Sequence, residues 1–128
     1  MKHLCKTLIL LVLLSSLNIG IADTGYCEPP EEVKHTFLAE VTAYTASVEE
    51  CGKDDGITAS GVFIEEGHIA MDDSIPFGTR VRIAGLGEYV VTDRGGDITG
   101  NRIDIFTPSR SNAFRFGRKV LEAEILAD

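Results

Sequence analysis

"YVVTDRGGDITGNRIDIF", residues 89–106, begins and ends like buried β-strand yet carries Asp93, Asp97 and Asp104. Carboxylates are rarely buried without a partner or a task. Asp93 closes the "YVVTD" strand directly before Arg94-Gly95-Gly96, and Asp104 sits inside "RIDIF" between Ile103 and Ile105. Side chains alternate across a strand, so isoleucines that face a core put Asp104 on the opposite face, over whatever groove lies there. Gly95 and Gly96 let the loop turn tightly and bring its backbone close to a ligand. Two strands joined by such a loop are expected to set Asp93 and Asp104 side by side. Asp72 ends "HIAMD" in a similar strand-terminal position and is a third acid expected in the same groove. Each acid also has a plainer reading, as an acceptor that holds a turn.

Outward from this stretch the chain is a series of short strand candidates. "FLAEVTAYT" (37–45) alternates through Phe37, Ala39, Val41 and Ala43, and "GHIAM", "TRVRIAG" and "KVLEAEIL" follow the same logic. The turn signals "DDSIPFG", "GLG" and "RGGDITG" separate them, and "ASVEECGKDDGI" (46–57) reads as an acidic loop. One good helix is expected after Thr107, with Thr107 as its cap, Pro108 in its first turn and Gly117 at its close. "FGTRV" (77–81) and "FGRKV" (116–120) share Phe, Gly and Val at one spacing, a weak echo that fits two related halves. Short strands with one short helix favour a small closed barrel, which leaves no sheet edge exposed.

The N-terminus belongs to another logic. "MKHLCKTLILLVLLSSLNIGIA" has a basic start, an apolar run from Leu8 to Leu14 and small residues at Gly20 and Ala22. That is the layout of a secretory signal peptide over residues 1–22, with an uncleaved membrane anchor as the competing reading. Polar, proline-containing residues 23–36 read as a linker, and 37–128 as the domain. Of the 12 basic and 20 acidic residues, signal removal takes Lys2 and Lys6 and no acid, leaving a formal charge of −10. Such a surface disfavours nucleic acid and anionic membranes as partners, so any membrane contact is expected only through an uncleaved signal segment. Export also leaves Cys27 and Cys51 as an even pair in an oxidising compartment. That suggests a disulfide adding about 3 kcal/mol, with two thiols as the alternative. No Cys/His spacing suggests zinc, the acids match no known Ca²⁺ loop, and no metal or other cofactor is expected.

The motifs together resemble the three-aspartate, or 3D, domain family, a double-psi β-barrel related to the C-terminal part of membrane-bound lytic transglycosylase A. They are "TAYT" at 42–45, "GITASG" at 56–61, "IAMD" at 69–72, "IPFGTRVRI" at 75–83, "TDRGGDITGNRIDIF" at 92–106 and "FGRKVLEAEIL" at 116–126. The resemblance implies a mainly β, six-stranded barrel with one or two short helices. It maps the family's aspartates onto Asp72, Asp93 and Asp104, with Asp104 as the catalytic acid/base. Asp97 departs from the family pattern, at a position where a small apolar residue is expected.

The implied activity is that of a secreted or periplasmic, cell-envelope lytic transglycosylase acting on peptidoglycan glycan strands. It would cleave between N-acetylmuramic acid and N-acetylglucosamine to leave a 1,6-anhydro sugar. Such an acid must be protonated at working pH, which partial burial and a like-charged neighbour both favour. Thr58 and Ser60 are candidate donors to the substrate, or else turn residues, and Tyr44 is a candidate stacking ring or a half-buried strand tyrosine. Arg80, Arg82, Arg94 and Arg102 offer partners for peptide-stem carboxylates, or balance nearby acids. The alternative function is a non-catalytic module on the same barrel that binds cell-wall glycan or a protein. A proton-sharing hydrolytic dyad is disfavoured, because "TDRGG" lacks the duplicated motif it would need.

Overall fold

The computed structural model describes residues 28–52 and 54–128. The expected signal peptide, the first part of the linker and Cys27 lie outside the described residues. Every segment read as a strand forms one. They are β1 (Val33–Tyr44), β2 (His68–Ala70), β3 (Arg80–Ile83), β4 (Gly87–Asp93), β5 (Arg102–Phe106) and β6 (Lys119–Leu126). They close into the expected six-stranded barrel in the order β1-β5-β2-β4-β3-β6. β1 runs parallel to β5 and β2 parallel to β4, while the other neighbours are antiparallel.

Alternation fills the barrel. Val41, Ile69, Val81, Val91 and Ile103 are each 0% exposed, one from each of five strands, with Ala123 from β6 beside them. Burying a Val or Ile side chain is worth roughly 1.5–3 kcal/mol, so this interior is the main support of the fold. A smaller cluster of Tyr44, Ala70 and Phe106 packs outside the barrel wall, with Ala46, Cys51, Ile64 and Ile98 around it. It forms apolar ground for what lies above.

Three local features differ from the sequence expectation. β1 starts at Val33, because Val33 to Thr36 pair with the end of β6, so the strand takes in the last residues read as linker. The segment read as an acidic loop holds one helical turn, α1 (Val48–Cys51), which Gly52 ends at φ 73°. The second helix, α2, runs Arg110–Phe116, two residues later than Thr107 and Pro108 implied. Ser109 is its cap because its hydroxyl accepts the Asn112 N–H, at 3.3 Å. Gly78 (φ 87°) and Gly117 (φ 66°) both adopt the left-handed backbone before strands β3 and β6, which pair with each other.

Candidate active site

One register detail builds the site. Ala70 on β2 is the pairing partner of Asp104 on β5 and also of Asp93 on β4. On the β4 side the register shifts: Ile69 faces Val91, but Ala70 faces Asp93, skipping Thr92. This bulge turns Asp93 onto the outer face that Asp104 already occupies by alternation. Without the bulge Ala70 would face Thr92. Asp93 and Asp104 are therefore not on adjacent strands, as the connecting loop suggested. β2 runs between them, which sets their backbones roughly 10 Å apart by ordinary strand spacing. Ala70 lies between them, and both carboxylates line the cleft that opens above it.

A cleft of about 540 Å³ opens at this point, with Asp93, Asp104, Tyr44, Glu50, Arg94, Gly95 and Gly96 on its walls. Asp104 is half-buried between buried Ile103 and Ile105, as the alternation required. Its Oδ1 accepts one hydrogen bond, from the Thr42 hydroxyl at 2.9 Å. Burial pushes its carboxyl above the usual range; the Thr42 bond and Arg102 oppose this, while the charges of Glu50 and Asp93 reinforce it. A carboxyl in such a place keeps its proton to higher pH than an ordinary aspartate.

Asp93 is held quite differently. Its Oδ2 accepts the Tyr44 hydroxyl at 2.7 Å, and its Oδ1 accepts the N–H groups of Ala59 and Arg94, both at 2.9 Å. Tyr44 is thus a hydrogen-bond donor to an acid. Its ring is only 8% exposed and meets Phe106 edge-on. Burial, then the Asp93 bond, pushes the phenol far above its ordinary value, so it stays a donor across the physiological range.

Thr58 and Ser60 bond to each other, Oγ to Oγ at 2.9 Å, and neither lines the cleft. What "TASG" delivers to the site is the Ala59 N–H. Gly95 lines the cleft for a steric reason, since a Cβ there would lie 2.8 Å from Ile98 Cγ1. Gly96 lines it with open space where a Cβ would lie.

Asp72 does not share the cleft. It lies in an adjoining depression with Asp73 and Thr99, across Arg94, Gly95 and Gly96. Its carboxylate is tied both to its own turn and to the loop between β4 and β5, so it stands beside Asp93 and Asp104 but in the neighbouring depression. It accepts the Ser74 N–H and the Gly100 N–H, each at 2.9 Å. The side chain and N–H of Ser74, with the Gly100 N–H, hold its carboxyl down at about 2.

The arginines serve the frame. Arg94 bonds the carbonyl oxygens of Asp93 and Ile75, pairs with Asp73 at 3.3 Å and lies 4.1 Å over the Phe77 ring. Arg80 and Arg82 pair with Glu31, and Arg82 also with Glu88 and Glu124. Arg102 pairs with Glu40 at 3.1 Å. Asp97 is exposed. Cys51 lines the cleft, with its Sγ 3.2 Å from the Thr45 carbonyl oxygen.

Glu50 was missed in the sequence. Its only signal there was membership of an acidic run, which gives no hint of direction. Among the described residues no group of three or more His, Cys, Asp or Glu could hold a metal ion.

The 3D domain family profile matches residues 67–127. Two proteins of Bacillus subtilis (strain 168) are related over most of this chain. YabE, named for a proposed part in cell wall shaping, is 41% identical over 112 residues, 84% of this chain and 27% of its own. The cell wall-binding protein YocH is 37% identical over 101 residues, 75% of this chain and 34% of its own. The chain thus spans about a quarter to a third of the length of these relatives. A crystal structure of MltA from Escherichia coli, a lytic transglycosylase, aligns with 56% of this chain and 27% of its own, with 26% identity and a TM-score of 0.49.

Proposed function

The chain carries a 3D domain over residues 67–127, and from that premise we propose that it is a peptidoglycan lytic transglycosylase of the cell envelope with Asp104 as its acid/base. The observation that carries this reading is the setting of Asp104: half-buried at a cleft, with one hydroxyl donor, and pushed up by burial and by neighbouring acids. Relatives named for cell wall binding and shaping support the choice of glycan as substrate.

On this reading the steps run as follows. Protonated Asp104 delivers its proton to the glycosidic oxygen, and the bond from C1 of N-acetylmuramic acid to that oxygen breaks. The muramic O6 attacks C1 and closes the 1,6-anhydro ring. Its proton passes to the Asp104 carboxylate, which restores the acid, so no water is consumed. Asp93, immobilised by Tyr44, Ala59 and Arg94 on the far side of Ala70, would stabilise positive charge that develops at C1. Thr42 fixes the rotamer of Asp104.

The name of YocH favours one second reading, a module that grips the glycan without cutting it. Mass analysis of purified peptidoglycan after incubation separates the two. Anhydromuropeptides are expected. New reducing ends in their place would indicate a hydrolase, and protein that co-sediments with uncut glycan would indicate a binding module.

A further inference from the structure

The cleft holds a carboxylate that this mechanism does not use. Glu50 lies on α1 and lines the same cleft as Asp93 and Asp104. It is tied in place: the N–H and the hydroxyl of Thr45 both donate to Glu50 Oε2, each at 2.5 Å. Thr45 is 6% exposed and directly follows the last residue of β1, so the tether is anchored in the barrel wall. Gly52 ends the turn at once, its N–H bonded to the Val48 carbonyl. A turn this short has little stability of its own, so its fixed place depends on such contacts.

We propose that Glu50 is a positioning residue for Asp104: its carboxylate, fixed at the cleft by Thr45, adds to burial in opposing ionisation of Asp104. The inference rests on the reading of Asp104 as proton donor.

The other groups around Asp104 leave this role open. β2 offers only Ala70, and β1 offers neutral Thr42 and Tyr44. On β4, Asp93 is occupied by three donors. Arg102, on Asp104's own strand, is engaged by Glu40 and by the Asp97 carbonyl, at 3.1 and 2.7 Å. Asp55, in the loop after α1, accepts the Ile57 N–H. Glu50 outweighs Asp93 among the charges that push the Asp104 carboxyl up.

The test is an NMR titration of the Asp104 side-chain carboxyl in the full chain, which needs no turnover. In Glu50→Gln the Asp104 midpoint should move to lower pH. Glu49→Gln removes the same charge from the same turn but from outside the cleft, and should leave the midpoint in place. Thr45→Ala, which removes the hydroxyl donor but keeps the backbone N–H, loosens Glu50 without neutralising it and should move the midpoint down by less than Glu50→Gln. Equal shifts in Glu50→Gln and Glu49→Gln, or none in Glu50→Gln, overturn the inference and leave Asp104 as the acid. A wild-type midpoint in the ordinary aspartate range overturns the proton-donor reading and this one with it.

Discussion

On one side of the Arg94-Gly95-Gly96 loop, Asp104 receives a single hydroxyl donor and is pushed up by burial. On the other side, Asp72 receives the N–H groups of Ser74 and Gly100 and is held at about 2. Asp104 sits within a strand and Asp72 just beyond one, each near a glycine-containing turn, which is why the sequence presents them as equivalents. The difference is burial at Asp104 against hydrogen-bond donors at Asp72. An aspartate that completes a turn's hydrogen bonds is favoured as an anion, whereas one buried at a cleft with a single donor keeps its proton to higher pH.

The strongest way to break this contrast is a pair of asparagine variants. Asp104→Asn keeps size and most hydrogen bonding but cannot deliver a proton. Its release of anhydromuropeptides should fall by at least ~10²-fold with glycan co-sedimentation retained. Asp72→Asn, outside the cleft, should keep most of its turnover in protein that remains folded. Equal losses in the two well-folded variants would merge sites that the structure separates.

Next in size is Gly95→Ala, which probes the wall between the two depressions. Its Cβ meets Ile98 Cγ1 at 2.8 Å, so the loop or Ile98 must shift. Denaturant unfolding should show a loss of about 1–3 kcal/mol, the usual scale for overpacking. Gly96→Ala, with no atom near the added methyl, should cost less. An unchanged midpoint in Gly95→Ala would mean that Ile98 gives way freely.

The smallest effects are on stability against pH, and they run in opposite directions. Asp72 is lower in the folded chain than its unfolded value near ~3.9. Its contribution is therefore complete above that value and fades as pH falls towards about 2. Asp104 is raised, so the folded state holds its proton more tightly than the unfolded one. Its effect is most favourable below the unfolded value and is lost as pH rises through the folded one. Melting curves should thus show Asp72→Asn flattening the acid limb, while Asp104→Asn holds or raises Tm at neutral pH. A clear fall in Tm for Asp104→Asn at pH 7 would make its role structural.

What the sequence made legible was whatever depends on alternation. Ile103 and Ile105 pointed inward and left Asp104 on the outer face, and the short strands closed into a barrel as their number and glycine turns favoured. What stayed hidden depends on partners. A bulge is a relation between two strands, so the shift that turns Asp93 beside Ala70 left no mark in "YVVTD". Ala70 looks like one more small apolar residue until both its neighbours are known. Tyr44 and Ala59 became donors to Asp93 only once residues 34 to 49 positions away were folded beside them. Glu50 needed the turn of α1 and the Thr45 tether before its direction had meaning.

The opposite ionisation of the two aspartates is open to direct observation in one sample. NMR titration of the side-chain carboxyls of the wild-type chain should give Asp72 a midpoint near 2, and Asp104 a midpoint above that of ordinary aspartates. If Asp104 loses its proton at or below the pH where Asp72 does, it has no proton to give at working pH, and the assignment of the acid fails.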